Sequence, residues 1–184
     1  MTEFTARPHA SEASAYYFRY IDQVPTGDLC AILADQLAPT ISLLHSLSDE
    51  QSLYRYAPDK WTVREVLKHL SDTERLFCSR AFWFARGFDT PLPSFDQEQS
   101  NLYANANATD WTELVAEFES VRRATLSFFH TLSSSAWDCR GVASGNPFSV
   151  RAIAYIIAGH TTHHLNSLME QYLGNDSYSS VGAR

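Results

Sequence analysis

His160 and His164 stand four residues apart in the run Gly159-His160-Thr161-Thr162-His163-His164. On a helix that spacing stacks two side chains on one face. The face is apolar: positions 150, 153, 157, 160, 161, 164 and 168 trace one stripe, with Val150, Ile153, Ile157 and Leu168 around the two imidazoles. Polar rings in a core need partners. A metal ion is one such partner, because neutral imidazole ligates Zn, Ni, Cu or Fe. Helices of the H-E-x-x-H type present two nitrogens to one ion with the same spacing. Here Thr161 replaces the Glu, so the ligand geometry is shared and the zincin motif is not. A third imidazole, His69, lies at the edge of an earlier apolar stripe, within Lys68-His69-Leu70-Ser71-Asp72-Thr73-Glu74. Three histidines from two helices leave coordination positions for water or substrate, as in a catalytic site rather than a closed structural one. The bland reading is a pair of satisfied core histidines and an unrelated His69. Ligating imidazoles usually donate their second N–H to an acceptor, which makes Asp72 and His163 candidates to orient the rings. His163 is turned about 100° from His164 around the helix. Asp72 and Glu74 also read as charges on an exposed helix face. His9, His45 and His130 have no comparable context.

Four amphipathic periods must position these residues. The first runs from about Asp28 to Leu47, with Leu29, Ile32, Leu33, Leu37, Ile41 and Leu44 at helical spacing. Pro39 falls inside it and predicts a kink or a break there. The second opens at Thr62-Val63-Arg64-Glu65, a capping box, and stops at Gly87. A short extra helix is expected between Ser94 and Asn105. The third period follows a capping signature at Asp110-Trp111-Thr112-Glu113 and continues to Leu132. The last begins near Ser149 and ends at Gly174. The Pro- and Gly-bearing stretches at Val24 to Gly27, Pro91 to Pro93 and Gly141 to Pro147 read as connections. The pattern predicts an all-α four-helix bundle, with residues 1–184 as one domain and 1–27 as an N-terminal extension. Tyr16, Tyr17, Phe18 and Tyr20 in that extension either pack on the outside of the bundle or form a dimer contact.

Composition narrows the function. Lys plus Arg number 14 and Asp plus Glu 21, a formal charge of -7, which disfavours nucleic acid and anionic membrane surfaces as partners. No apolar run approaches the roughly 20 residues of a membrane span. The N-terminal stretch lacks an apolar signal core, so export is not expected. Cys30, Cys78 and Cys139 are odd in number and widely spaced, which fits a reducing cytoplasm. Phosphate-binding glycine loops and serine-nucleophile elbows are absent from the sequence.

The stretch Tyr56-Ala57-Pro58-Asp59-Lys60-Trp61-Thr62-Val63-Arg64-Glu65-Val66-Leu67-Lys68-His69-Leu70 resembles the first signature of the DinB-like superfamily. Its second signature is similar to Arg151-Ala152-Ile153-Ala154-Tyr155-Ile156-Ile157-Ala158-Gly159-His160, continuing through His163-His164. The likeness extends to Leu53-Tyr54-Arg55-Tyr56, to Pro91 through Asp96 and to Tyr20-Ile21-Asp22. The resemblance implies a four-helix bundle, usually a homodimer, with a divalent metal, Zn or Ni, on His69, His160 and His164. These are the three histidines that periodicity selects. Characterised relatives include transferases that use low-molecular-weight thiols and a mycothiol-dependent isomerase; others are taken to be hydrolases. The expected function is therefore a cytoplasmic metal-dependent enzyme that activates a thiol or water, for S-transfer to or hydrolysis of a small-molecule substrate. The alternative is a non-catalytic, metal-stabilised dimeric bundle acting as a stress-response binding module.

Overall fold

The helix ends are set by side chains that replace missing backbone partners. The computed structural model describes residues 6–174. In it Thr62 accepts from the Glu65 N–H at 3.1 Å, and Glu65 accepts from the Thr62 N–H at 2.7 Å. This closed capping box starts the longest helix, α5, Val63–Ala85. Asp28 caps α2 (Leu29–Asp35), Asp96 caps α6 (Gln97–Tyr103), Asp110 caps α7 (Trp111–His130) and Ser149 caps α8 (Val150–Ser167). Two short helices were not expected, α1 (Phe18–Ile21) and α4 (Asp49–Ser52). The first amphipathic period is split into α2 and α3 (Leu37–His45), with Gln36 between them. The break comes three residues before Pro39, not at it. Pro39 sits in the first turn of α3, where an N–H has no intrahelical use. Its missing donor leaves the Asp35 carbonyl without its helical partner, and the chain bends there.

The bundle consists of α2–α3, α5, α7 and α8. Lys68 pairs with Glu117 and Glu74 with Arg122, so α5 and α7 run parallel. His69 meets His160 while the Trp61 carbonyl meets the Tyr172 hydroxyl, so α8 runs antiparallel to both. A parallel pair cannot be joined by a tight turn. The chain from 86 to 110 therefore travels back along the bundle, carrying α6 on the way.

The stretch from Gly141 to Pro147 is more than a connection. Arg140–Ala143 (β1) and Asn146–Ser149 (β2) pair antiparallel, Arg140 opposite Ser149 and Ala143 opposite Asn146. Ser144 and Gly145, with φ of 52° and 71°, make the two-residue turn that such a hairpin needs. The hairpin also grips the preceding loop: Leu92 N–H donates to the Val142 carbonyl and Ser144 N–H to the Leu92 carbonyl. The N-terminal segment is fastened to the start of α8. Glu12, buried, accepts from the Ser149 hydroxyl at 2.7 Å and from Arg151 at 2.7 Å. Burial alone would raise its pKa, but Arg151, the His9 N–H and Ser149 outweigh burial and hold it at about 2. Helix α1 then lies so close to α8 that a Cβ on Gly159 would stand 2.0 Å from the Tyr20 carbonyl oxygen. No helix among the described residues is long and apolar enough to cross a membrane.

The core has two apolar parts. One gathers Leu29, Leu33, Phe77, Phe84, Phe129, Val150 and residues 152–158. The other gathers Leu37, Leu44, Val63, Leu67, Phe118 and Leu168. Between them every bundle helix contributes polar residues at the same level: Gln36, Thr73 and Glu74, Arg122, and His160 with Thr161. The Arg122 guanidinium, fully buried, donates to both Glu74 carboxylate oxygens at 2.8 Å, to the Leu33 carbonyl and Gln36 Oε1 at 3.1 Å, and to Thr161 Oγ1 at 2.9 Å. Gln36 returns its amide hydrogens to the Ala158 carbonyl and Thr162 Oγ1. Glu74 is thus not a charge on an exposed face. Glu74→Gln leaves the Arg122 charge buried without its counterion, and should cost about 3–5 kcal/mol of stability in urea unfolding monitored by circular dichroism.

Candidate metal centre

His69 lies on α5 and His160 and His164 on α8, and the polar layer brings all three rings together. His160 Nε2 is 3.2 Å from His69 Nε2 and 3.1 Å from His164 Nε2. The ligating atoms of the three lie within 4.8 Å of one another, and no other group of three metal-binding side chains occurs among the described residues. His69 and His160 are buried and His164 is half-buried.

Burial sets the charge of the rings. It pushes His69 down to about 4. His164 falls to about 3, through burial and then through His69 and His163. His160 lies well below the ordinary 6.5, chiefly by burial and further through its histidine neighbours. All three are therefore neutral near pH 7, and a neutral imidazole has one nitrogen with a free lone pair. Thr73 indicates which nitrogen that is on His160. Its hydroxyl donates to the His69 carbonyl at 2.6 Å, which leaves its oxygen lone pairs for His160 Nδ1, 3.5 Å away. The Nδ1–H tautomer satisfies that contact and leaves the Nε2 lone pair facing the other two rings.

Three converging nitrogens are poorly served by one another, since a single lone pair on His160 would have to receive two donors. They fit a metal ion well. Metal–nitrogen bonds of roughly 2.0–2.1 Å at a tetrahedral angle place two ligand nitrogens about 3.3 Å apart. The spacings of 3.1 and 3.2 Å match that figure. The donor set is complete in imidazole and contains no carboxylate or thiolate.

The centre has a cover and an opening. Tyr20 of α1 sets its ring edge-on to His160, centroids 5.1 Å apart, and Trp61 lies 4.9 Å from the His69 ring. The N-terminal aromatics are thus built into the site rather than merely resting outside the bundle. His69 and His160 form one end of a cleft of about 230 Å³, whose walls include Tyr17, Tyr20, Phe77 and Arg80.

The remaining sequence candidates lie elsewhere. His163 is beside the cluster, its ring edge-on to those of His164 and Tyr20, but it does not join the three. Asp72 pairs with Arg75 at 3.3 Å and Lys68 at 3.8 Å and accepts from Ser100, so its carboxylate is directed along the α5–α7 surface and not brought to the rings. Thr73, Tyr20 and Arg80 are site residues that motif reasoning passed over. A threonine one helical turn beyond His69 is the only local signal among them.

The sequence matches the DinB superfamily over residues 33–168, a span that includes all three histidines. The chain belongs to the DinB superfamily. Within reach of this DinB sequence is a protein of Oceanobacillus iheyensis provisionally named a metal-dependent hydrolase. It is 24% identical over 123 residues, 66% of this chain and 70% of that protein. Among solved structures, YfiT from Bacillus subtilis superposes with a TM-score of 0.64 at 16% identity, covering 88% of each chain. YfiT is described as a probable metal-dependent hydrolase with an unusual four-helix bundle topology. The likeness to YfiT shows the fold, and the parallel α5–α7 pair makes this DinB bundle unlike an up-and-down one.

Protonation of the rings has a defined sign. Their folded-state values lie below the ordinary 6.5, so the unfolded chain binds protons that the folded chain refuses. For protein stripped with a chelator, this contribution is complete above pH 6.5 and is lost as pH falls from there toward 4 and 3. The melting temperature should drop across that window, and His69→Leu should flatten the drop.

Proposed function

We propose that this DinB protein is a metal-dependent enzyme acting on a small molecule, with one divalent ion, Zn or Ni, held by His69, His160 and His164. The observation that carries the reading is the convergence of three imidazoles, two of which, His69 and His160, line a cleft, with no fourth protein donor in the cluster among the described residues. That arrangement favours an enzyme over a closed, purely structural centre. Bound there, such an ion lowers the pKa of a coordinated water or thiol and stabilises negative charge developing on the substrate.

The chain supplies the rest. Burial keeps the imidazoles neutral at physiological pH, Thr73 holds the His160 ring, and Tyr20 and Trp61 keep bulk water from two sides. The names given to the Oceanobacillus and Bacillus proteins support hydrolysis. No carboxylate lines the cleft to act as general base, which suits a nucleophile, water or thiol, that the ion itself acidifies. A low-molecular-weight thiol attacking an electrophile is one such nucleophile. Cys30, Cys78 and Cys139 are all free, consistent with a cytoplasmic protein. A homodimer, implied by the family, completes the reading. His163, next to His164, is the candidate to tune that ligand from outside.

Elemental analysis of protein purified without a histidine tag should return about one divalent ion per chain, and none for His160→Ala. Wild-type metal content in that variant overturns the site. Activity assayed with and without added thiol, on esters, amides and electrophilic carbons, separates hydrolysis from S-transfer. Thr73→Val should keep the stoichiometry while weakening the metal affinity about tenfold or more, as read by competition with a chromophoric chelator.

A further inference from the structure

Three arginines are buried: Arg64, Arg80 and Arg122. Arg64 pairs with Asp49, and Arg122 with Glu74. Arg80, only 3% exposed, pairs with no carboxylate among the described residues. It donates from Nη2 to the Pro93 carbonyl at 3.0 Å and to Ser144 Oγ at 2.9 Å. Its Nε–H is buried and has no hydrogen-bond partner among the described residues. A guanidinium stays charged under all ordinary conditions, so this is a permanent cation without a counterion inside a protein of net charge -7.

Arg80 lines the same cleft as His69 and His160. The three helical positions His69, Thr73 and Phe77 lead to it along one face of α5, and Arg80 follows at the far end. The Cα atoms of His69 and Arg80 are about 16 Å apart along the helix axis. The side chain shortens that span, because its guanidinium folds back over the Phe77 ring, 5.7 Å from the centroid. Its setting is constructed. The bridge between Leu92 and the hairpin brings the Pro93 carbonyl and Ser144 to the same point, and Ser144 takes a left-handed φ of 52° there.

We propose that Arg80 is the counter-ion for an oxyanion group, a carboxylate or a phosphate, on the substrate, whose reacting end faces the three histidines. The anion supplies both things the guanidinium lacks, an acceptor for Nε–H and a negative charge. The apolar walls between the two ends, Phe77, Leu76 and the tyrosine rings, take an uncharged chain. The proposal rests on the cleft being the active site, and it names the substrate class: small, elongated and anionic at the end away from the metal centre.

The test uses chelator-treated full-length protein, so that no metal competes for the probe. Hexanoate, hexyl phosphate and neutral hexanamide are titrated while the arginine Nε–H resonances are followed by NMR. The Arg80 signal is assigned by its absence in Arg80→Gln. One or both anions should shift that signal in the wild type and bind at least about tenfold more tightly than hexanamide. The stronger of the two identifies the headgroup. Arg80→Gln should lose the preference and retain wild-type metal content by elemental analysis. An unmoved Arg80 resonance overturns the proposal without any variant. A folded Arg80→Gln protein that still prefers the anions also overturns it. Neither result touches the metal reading, which stands or falls on the metal content of His160→Ala.

Discussion

The Arg122–Glu74 ion pair is the constraint on which the bundle depends. Taking two charges out of water is costly, and attraction between them offsets that cost only when every remaining donor and acceptor is matched. Here the matching partners come from all four bundle helices: Leu33 and Gln36 at the α2–α3 break, Glu74 on α5, Arg122 on α7 and Thr161 on α8. Sliding any one helix along its neighbours would strand a buried charge or amide. Apolar contacts alone tolerate such slippage far better, since burial is not directional. The pair therefore fixes the axial register of the whole assembly.

That register is what makes the histidine cluster possible. Thr73 precedes Glu74 and His160 precedes Thr161, so the residues that hold the ion pair and those around the histidine cluster are chain neighbours. One side of the polar layer closes on itself through Arg122. The other side presents three nitrogen lone pairs that the protein does not satisfy internally. A second contrast runs along α5: its Glu74 pairs with Arg122 of α7, while its Arg80 has no carboxylate among the described residues. Buried acids serve the architecture at Glu74 and Glu12, while Arg80, the cation of the cleft, is left open.

Local signals in the sequence were legible because they act within a few residues. The Thr62–Glu65 capping box, the Asp caps, the helical periods and the i, i+4 spacing of His160 and His164 all depend on neighbours in the chain. His69 could be joined to them because it also lies on an apolar stripe. Other features depend on partners far away in sequence. Glu74 and Asp72 look alike locally, yet one is buried opposite Arg122 and the other lies on the surface among Lys68 and Arg75. Nothing local distinguishes them. The direction of α7 relative to α5 is equally invisible in amphipathic periods, which carry no sign. The hairpin had a signal in Ser144-Gly145, but its strands are only four residues each and too short for alternation to stand out. Pro39 predicts a break at its own position, while its effect falls on the preceding Asp35 carbonyl and the break comes at residue 36.

The parallel arrangement of α5 and α7 has a consequence for the order in which the molecule assembles. Glu74 and Arg122 are 48 residues apart, and His69 and His160 are 91 apart. Contacts of such separation form late, because the chain between them must lose its freedom first. On a ribosome, α5 and α7 are made well before α8, so Arg122 can find Glu74 while His69 still has no companions. The histidine cluster is thus the last part of the bundle to come into being, and in a nascent chain short of α8 the His69 ring stands apart from the other two.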